Sequence, residues 1–448
     1  MSQPMKVVEV SGDTNSPPTA GQSAETDRES EQRVKAAWTH WANLGSPVTV
    51  ASPMVHQSEL AFRLLCRRYA TQLAYTPMLH AKLFVKDATY RQQFFFSQSL
   101  GTLEDTASRS DRPLVVQFAG DNAQDLVAAA KMVRHYVDAV DVNLGCPERI
   151  AKKGHYGSFL LDEPDLVVAV VSELCAELRP LNLPVFCKIR LMQRGPHIPQ
   201  HRRGLDGTIR FCQRLQAAGV AALCVHGRCR ANKGPRITGA DWKAIKAVKE
   251  NVLIPVIANG GIQTAEDARK CLLETGCDAV MSAEAILCNP SFFRSWNVDS
   301  TAGEVARSDK PKPTPTQLAL EYLDLATQHP PGDFLKCVKP HIYRILHGLL
   351  YGPAEVSLNT SSSCDSENHS SSTKQTFLAR IQGARDVAAC VAVVQEMAQH
   401  EEDLVSAAAA SPSNESLTVG QKISPKTVED MLSSWYLRHR NEVCCCLY

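Results

Sequence analysis

Residues 143–161, NLGCPERIAKKGHYGSFLL, contain the strongest candidate for a chemically active side chain. Cys146 follows a short apolar run directly and opens a polar loop that also holds His155. A free thiol with a pKa of about 8.5 is mostly protonated at neutral pH and can donate a proton. Neighbouring cations would lower that pKa and give a thiolate nucleophile instead. A general acid, a nucleophile and a buried structural cysteine all stay open, whereas no protease signature supports a pair of Cys146 with His155 or His226.

Two pairs of basic residues alternate along apolar runs, Lys188 with Arg190 in VFCKIRL and His226 with Arg228 in ALCVHGR. Side chains two residues apart on a strand lie on the same face of the sheet. Each pair is therefore expected to point in one direction, into a site at the strand ends. For Arg190 an ion pair with a strand-end acid such as Asp141 is an equal alternative.

The run PVIANGG ends in Asn259, Gly260 and Gly261, and the next run leads into Ala283 and Glu284. Glycine lets backbone N–H groups come close to a phosphate. In barrels of alternating strands and helices, a phosphate site is often built from the loops after the last two strands. Two glycines after a strand are also a common turn, so the phosphate site and the turn both stay open.

These residues must be positioned by strands, and eight short apolar runs alternate with amphipathic segments of helical period. Most runs are continuously apolar at their start, as in strands buried on both faces, and end in polar residues or glycine. Eight such units in about 240 residues predict a (β/α)8 TIM barrel, with a doubly wound sheet of five or six strands as the second choice. The runs are 47–54, 73–78, 114–120, 139–145, 185–191, 222–228, 255–261 and 279–285.

The strand pattern stops near residue 290, and helical patterns follow that predict a C-terminal helical domain. The ends and the Ser-rich insert have few apolar residues, which indicates disorder. The predicted organisation is a disordered tail at 1–33, the barrel at 34–300, helices at 301–352 and 376–405 around a disordered insert at 353–375, and a linker, last helix and Cys-rich tail at 406–448.

Composition narrows the class of protein. The chain has 448 residues, 44% of them hydrophobic, with 48 basic against 47 acidic side chains, which excludes wholesale disorder and collagen-like repeats. No apolar run reaches the roughly 18 residues of a membrane helix, so no membrane-spanning segment is expected. The N-terminal stretch lacks a signal-peptide core, which predicts a cytoplasmic and/or nuclear protein with free thiols. The protein is also expected to be a monomer. No CxxC pair occurs outside the tail, so no metal site is expected. A net charge of +1 means that any nucleic-acid partner needs a local basic face.

Several motifs in order now point to one family. ASPMVHQSELAFRLLCRRY, TPMLHAKLF, QFAGD, DVNLGCPERIAKKGHYGSFLL, VHGR, ANGGIQ and MSAEAIL resemble those of the dihydrouridine synthases, and most of all the eukaryotic branch that acts on uridines 16 and 17 of the tRNA D-loop. The similarity runs from about residue 47 to 293. It implies an FMN-bearing barrel followed by a helical tRNA-binding domain, with NADPH or NADH as reductant.

The resemblance also assigns residues. Cys146 would be the general acid that protonates C5 of uracil after hydride reaches C6, and Asn143 would hold the target base. The residues expected to bind FMN are Pro53, Met54, Val55, Gln117, Lys188, His226, Asn259, Gly260, Gly261, Ala283 and Glu284.

The substrate is expected to contact two regions. Arg190 and Arg228 would face it at the barrel mouth, and Lys336, Lys339 and Arg344 would do so from a nearly acid-free stretch that also contains His341 and His347. The alternative for that stretch is a solvated helix face.

Two residues depart from the family pattern, and two other functions remain as alternatives. Much of the family has Gly-Arg where this chain has Ala283-Glu284, and His56 stands where an acid is expected. The alternative functions are an FMN barrel oxidoreductase acting on a small pyrimidine or an enone, and a non-catalytic RNA-binding protein.

Overall fold

Nine parallel strands form the centre of the computed structural model, which describes residues 20–100, 110–193, 203–232, 239–296, 312–351 and 376–410. Eight of them close into a barrel in the order β2-β1-β9-β8-β7-β6-β5-β4, because β2 also pairs with β4. Each of the eight runs coincides with one of these strands, with β7 extending one residue beyond its run, which confirms the predicted TIM barrel. Only β3, a two-residue strand against β4, was not predicted. The strands are β1 (Thr49–Ala51), β2 (Leu73–Tyr75), β3 (Leu79–His80), β4 (Leu114–Ala119), β5 (Ala139–Leu144), β6 (Val185–Leu191), β7 (Ala222–Cys229), β8 (Val256–Asn259) and β9 (Ala279–Ser282).

The strand register brings the polar residues to one end of the barrel. Asn143 on β5 lies opposite Lys188 on β6. Arg190 lies opposite His226 on β7, and His226 lies opposite Asn259 on β8. Residues opposite one another in a sheet share a face, so these five side chains line the same mouth.

The helices cover the outside of the barrel and continue beyond it. They are α1 (Ala20–Asn43), α2 (Leu60–Arg68), α3 (Ala81–Lys86), α4 (Ala88–Arg91), α5 (Ala123–Val133), α6 (Arg149–Lys153), α7 (Pro164–Leu178), α8 (Gly204–Ala217), α9 (Trp242–Glu250), α10 (Ala265–Thr275), α11 (Glu284–Cys288), α12 (Pro315–Gln328), α13 (Phe334–Ile345), α14 (His347–Tyr351), α15 (Phe377–Gly383) and α16 (Val387–Ala410). A π-helix (Gln92–Leu100) and two 3-10 helices (Gly157–Asp162 and Arg179–Leu181) complete the set. Over the part of the chain described, no helix is both long and apolar enough to cross a membrane.

Capping residues explain where individual helices begin and end. Thr264 and Asp267 form a reciprocal capping box at the start of α10, and Gly276 ends that helix in the left-handed region with φ of 65°. Thr314 and Gln317 form a second capping box at the start of α12. Such caps satisfy backbone N–H groups that have no partner inside the helix.

The C-terminal helices pack on the barrel without a break in the apolar core. Leu323 of α12, Ile342 of α13 and Met397 of α16 belong to the same buried cluster as Phe62 of α2. The tyrosine hydroxyl of Tyr69, just after α2, donates to Glu321 of α12 at 2.6 Å.

Helix α1 begins inside the segment predicted as a tail. Residues 20–33, expected to belong to a disordered tail, form the first half of α1. Their helical pattern is weak because charged and small residues dominate it. The predictions for residues 1–19, for the Ser-rich insert and for the segment after 410 lie outside the described residues.

Candidate active site

Three polar side chains form a hydrogen-bonded chain across β4 and β5. Gln117 Nε2 donates to Asp141 Oδ2 at 2.8 Å, and Asn143 Nδ2 donates to Gln117 Oε1, also at 2.8 Å. Asn143 Oδ1 in turn accepts from the N–H groups of Gly145 at 3.0 Å and Cys146 at 2.9 Å. This series of hydrogen bonds links Asp141, in the centre of the barrel, to the backbone of the loop that begins after β5 and contains Cys146.

Cys146 lies half-buried at the start of that loop. Its carbonyl accepts from both the N–H and the hydroxyl of Ser158, each at 2.9 Å. Gly157 packs so closely that a Cβ there would lie 2.9 Å from the Cys146 Cβ, and its φ of 71° favours glycine. The loop therefore holds Cys146 from both sides.

Lys188 occupies the middle of the mouth. Its Nζ donates to Asn259 Oδ1 at 3.0 Å, and Asn259 Nδ2 donates to the Met281 carbonyl at 2.9 Å. Burial lowers the pKa of Lys188, and Arg190 lowers it further, whereas Cys224, Asp141 and Cys146 oppose the shift. Asn143 lies opposite Lys188 in the strand register and accepts from the Cys146 N–H, so the predicted lysine and cysteine lie at the same end of the barrel.

Asp141 is fully buried below these groups. Burial raises its pKa to about 7, against the opposing effects of the Gln117 hydrogen bond and the Lys188 charge. The sequence suggested Asp141 only as an ion-pair partner for Arg190. In the structure its hydrogen bond goes to Gln117, whereas Arg190 Nε donates to the Gly145 carbonyl at 2.9 Å.

His226 lies among cations. Arg228 Nη1 is 3.2 Å from His226 Nε2. Burial lowers the pKa of His226 well below its usual value, and Arg190, Lys188 and Arg228 lower it further. The imidazole is therefore neutral at pH 7, accepts from Arg228 at Nε2, and has its remaining proton at Nδ1.

Gly260 and Gly261 form a cradle beside His226. Their φ values are 99° and 74°, and a Cβ on Gly260 would lie 2.6 Å from His226 Cδ2. The indole N–H of Trp242 donates to the Gly260 carbonyl at 2.9 Å and fixes this turn. The positive φ values and the close approach of His226 therefore require glycine in this turn.

The ends of β1 and β9 meet on the far side of the mouth. The N–H of Ser52 donates to the Ser282 carbonyl at 3.0 Å, which brings the chain at Pro53 close to Ala283. The N–H of Met54 donates to Ser58 Oγ at 3.0 Å, while Val55 is exposed. Glu284, the first residue of α11, is also exposed, so the carboxylate can turn away from an anion.

The basic stretch of α13 does not form one exposed face. His341, expected beside the RNA, is fully buried, with Nε2 3.2 Å from the Glu59 carboxylate. Arg344 donates to Gln57 Oε1 in the loop after β1. Lys336 is exposed and pairs with Asp333 at 2.9 Å, and Lys339 donates to the Gln382 carbonyl at 2.7 Å. Only Lys336 points fully outwards, because the apolar side of this helix turns its neighbours towards the barrel.

Sequence reasoning missed two roles. Glu59 and Asp141 are both almost completely buried carboxylates. The signal for Asp141 was present as an acid inside the apolar run AVDVNL. Glu59 precedes an ordinary amphipathic helix, and nothing in its surroundings marks it as buried.

The fold and the site define a class: a parallel TIM barrel with a cysteine loop, a buried lysine and a glycine cradle at the carboxyl ends of its strands. The model of the family described as dihydrouridine synthase (Dus) matches residues 49–382. The chain therefore belongs to the dihydrouridine synthase family.

Two individual members of the family are similar in sequence to this chain. The chain is 43% identical over 307 residues to the mouse protein named tRNA-dihydrouridine(16/17) synthase [NAD(P)(+)]-like, a match covering 68% of this chain and 57% of the mouse protein. It is 39% identical over 310 residues to the Saccharomyces cerevisiae tRNA-dihydrouridine(16/17) synthase [NAD(P)(+)], covering 68% of this chain and 67% of the yeast protein. The match thus spans little more than half of the mouse relative.

A solved structure shows a weaker likeness. Morphinone reductase in complex with tetrahydroNAD matches 58% of this chain and 91% of its own, with 10% identity and a TM-score of 0.37. A sequence identity and a TM-score this low do not indicate a shared activity.

Proposed function

We propose that this protein is a flavin-dependent tRNA-dihydrouridine synthase. It would reduce the C5=C6 bond of uridines 16 and 17 in the tRNA D-loop, with FMN as its flavin and NADPH or NADH as reductant. The observation that carries the proposal is the convergence of Cys146, the Lys188–Asn259 pair and the Gly260–Gly261 cradle at one barrel mouth. Family membership supports the chemistry, and the names of the mouse and yeast relatives support the position of the uridine.

The residues present fit a flavin mononucleotide. A phosphate needs close N–H groups and positive charge. The positive φ values of Gly260 and Gly261 exclude side chains from this turn, so a phosphate could approach its backbone N–H groups, and Arg228 lies against the neutral His226 at the same place. Lys188 and Gln117 supply polar groups where the ring would lie across the strand ends. Pro53, Met54 and Val55 would cover its other side.

The division of chemistry follows from these positions. When bound, the reduced flavin supplies a hydride to C6 of the uracil ring. Cys146 gives its thiol proton to C5, so that hydride and proton together saturate the double bond. The thiolate left behind lies at the same barrel mouth as Lys188, whose register partner Asn143 accepts from the Cys146 N–H. Because Cys146 is half-buried rather than enclosed, solvent can return the proton.

The RNA has to present its base to this mouth. A uracil cannot reach the strand ends while stacked, and a loop such as the D-loop makes its extrusion cheaper than in a duplex. The α13 helix contacts the loop after β1 through Arg344 and carries Lys336 on its exposed side. We infer that the tRNA lies along this edge. Activity in the cytoplasm and/or the nucleus, as a monomer, is part of the proposal.

The test combines a spectrum with product analysis. Purified protein should show the absorption bands of FMN and, with NADPH, convert uridine to dihydrouridine in unmodified tRNA, as read by nucleoside mass spectrometry. Transcripts with cytidine at positions 16 and 17 should yield no dihydrouridine. Dihydrouridine in those transcripts would show that the enzyme modifies a uridine at another position of the tRNA. Protein that binds no flavin after incubation with excess FMN would contradict the proposal as a whole.

A further inference from the structure

Asp141 is a buried acid in an unusual position. It lies on β5 inside the barrel with no exposed surface, and its Oδ1 has no hydrogen-bond partner among the described residues. Burying a carboxyl group costs free energy unless partners compensate for the lost water. Burial raises its pKa to about 7. Its one side-chain hydrogen bond, to Gln117, is therefore the feature that must explain its presence.

The hydrogen bond between Asp141 and Gln117 determines how the Gln117 and Asn143 amide groups are oriented in the hydrogen bonds that follow. Asp141 Oδ2 accepts from Gln117 Nε2, which leaves Gln117 Oε1 facing Asn143. Asn143 must then present Nδ2 to Gln117 and Oδ1 to the backbone of the loop. Without the first acceptor, either amide group could rotate by half a turn and offer a donor to the N–H of Cys146.

We propose that Asp141 is a positioning residue, which fixes the Cys146 backbone through the amide orientations of Gln117 and Asn143. The role of Asp141 as an anchor does not depend on the reaction. Its consequence for proton transfer rests on the proposed function. The second attachment of the loop, from Ser158 to the Cys146 carbonyl, does not involve Asp141. Loss of Asp141 should therefore displace the thiol without unfolding the loop.

The experiment compares variants that remove or keep the acceptor. Asp141→Leu removes it, Asp141→Asn keeps one oxygen, and Gln117→Met breaks the chain at its second member. Asp138→Asn, just before β5, is the matched control, because Asp138 bonds to Arg112 and to the Leu114 N–H at the opposite end of the barrel.

The first readout is independent of activity. Peptide-resolved alkylation reports the accessibility of Cys146, with Cys229, the other half-buried cysteine of the described residues, as internal reference. Asp141→Leu and Gln117→Met should change the Cys146 rate at least severalfold relative to Cys229. Asp141→Asn and Asp138→Asn should leave it at the wild-type value.

The second readout is the oxidation of reduced flavin by tRNA. Displacing a reacting group by about 1 Å can cost about a hundredfold in rate, so Asp141→Leu should slow this step by about ten- to a hundredfold while NADPH-driven reduction persists. Wild-type Cys146 alkylation in both Asp141→Leu and Gln117→Met would overturn the proposal. So would an alkylation change in Asp141→Asn as large as in Asp141→Leu. Wild-type protein that fails to turn over tRNA would contradict the proposed function alone, since the alkylation rates still test the anchor.

Discussion

Nε2 of His341 lies 3.2 Å from the carboxylate of Glu59, and both residues are buried between the C-terminal helices and the barrel. Tyr322 donates its hydroxyl to the same carboxylate at 2.8 Å. Phe62 stacks on the imidazole with ring centroids 4.3 Å apart. This contact attaches α12 and α13 to α2 and turns part of the basic stretch away from solvent.

Removing Glu59 should loosen that attachment. Glu59→Ala leaves His341 and the Tyr322 hydroxyl without their acceptor, and losing one partner of a buried polar pair costs about 3 kcal/mol. Tyr322→Phe, which removes one hydrogen bond and keeps the ring, should cost about 1 kcal/mol. Urea unfolding measures both. Equal midpoints for Glu59→Ala and wild type would show that the contact contributes nothing.

Cys146→Ala should separate proton delivery from binding. The variant should keep its affinity for flavin and tRNA, whereas flavin oxidation by tRNA should fall by about 10²- to 10⁴-fold, the usual cost of losing a general acid. Cys146→Ser should be nearly as slow, because a hydroxyl is a much weaker acid than a thiol. Cys229→Ser is the control and should react like wild type. Unimpaired dihydrouridine formation by Cys146→Ala would make Lys188 or a water the next candidate for the acid.

Gly260→Ala should abolish flavin binding. The new methyl group would clash with the His226 ring at 2.6 Å in a backbone conformation that already disfavours alanine. Gly276→Ala is the matched control, since Gly276 also has positive φ, at 65°, but no atom within 4 Å of an added Cβ. The control should lose about 1 kcal/mol of stability and keep its flavin. Flavin fluorescence titration distinguishes the two, and equal flavin affinities would argue against the cradle.

His155 should make the loop after β5 sensitive to pH. Its ring nitrogens lie 2.5 Å from Asp121 and 2.7 Å from Glu163. The hydrogen bond to Asp121, followed by that to Glu163, raises the pKa of His155 above 6.5. A raised histidine pKa stabilises the folded state fully below pH 6.5 and loses this effect as pH rises through the folded-state value.

The stability difference between wild type and His155→Asn should therefore shrink between pH 6 and pH 9. Denaturant unfolding at several pH values measures it, and proton NMR gives the pKa directly. Because 45% of the His155 side chain is exposed, solvent screening keeps the effect small. A difference that grows with pH would mean that the histidine is bound in its neutral form.

Lys336 should contribute to tRNA binding as an exposed cation on α13. Lys336→Glu should weaken binding and lower the slope of affinity against salt concentration by about one. Lys270→Glu on α10 is the control, because Lys270 is also exposed and paired within its own helix, with Glu274. Fluorescence anisotropy with unmodified tRNA measures both. An equal effect of the two substitutions would indicate only a general charge dependence.

The sequence by itself determined the barrel, its eight strand positions and most of the residues at the mouth. It could do so because a strand buried on both faces must be continuously apolar, and because the carboxyl ends of parallel strands meet at one edge. Cys146, Lys188, His226 and Gly260 were therefore recognisable from local pattern and order along the chain.

Only the tertiary structure decided which polar groups face each other. Asp141 reaches Cys146 through Gln117 on a neighbouring strand, and His341 meets Glu59 across 282 residues of sequence. No local periodicity encodes contacts between distant segments, because hydrogen-bond partners depend on strand register and helix packing. The local sequence around a basic residue therefore does not indicate whether its side chain faces RNA or a buried carboxylate.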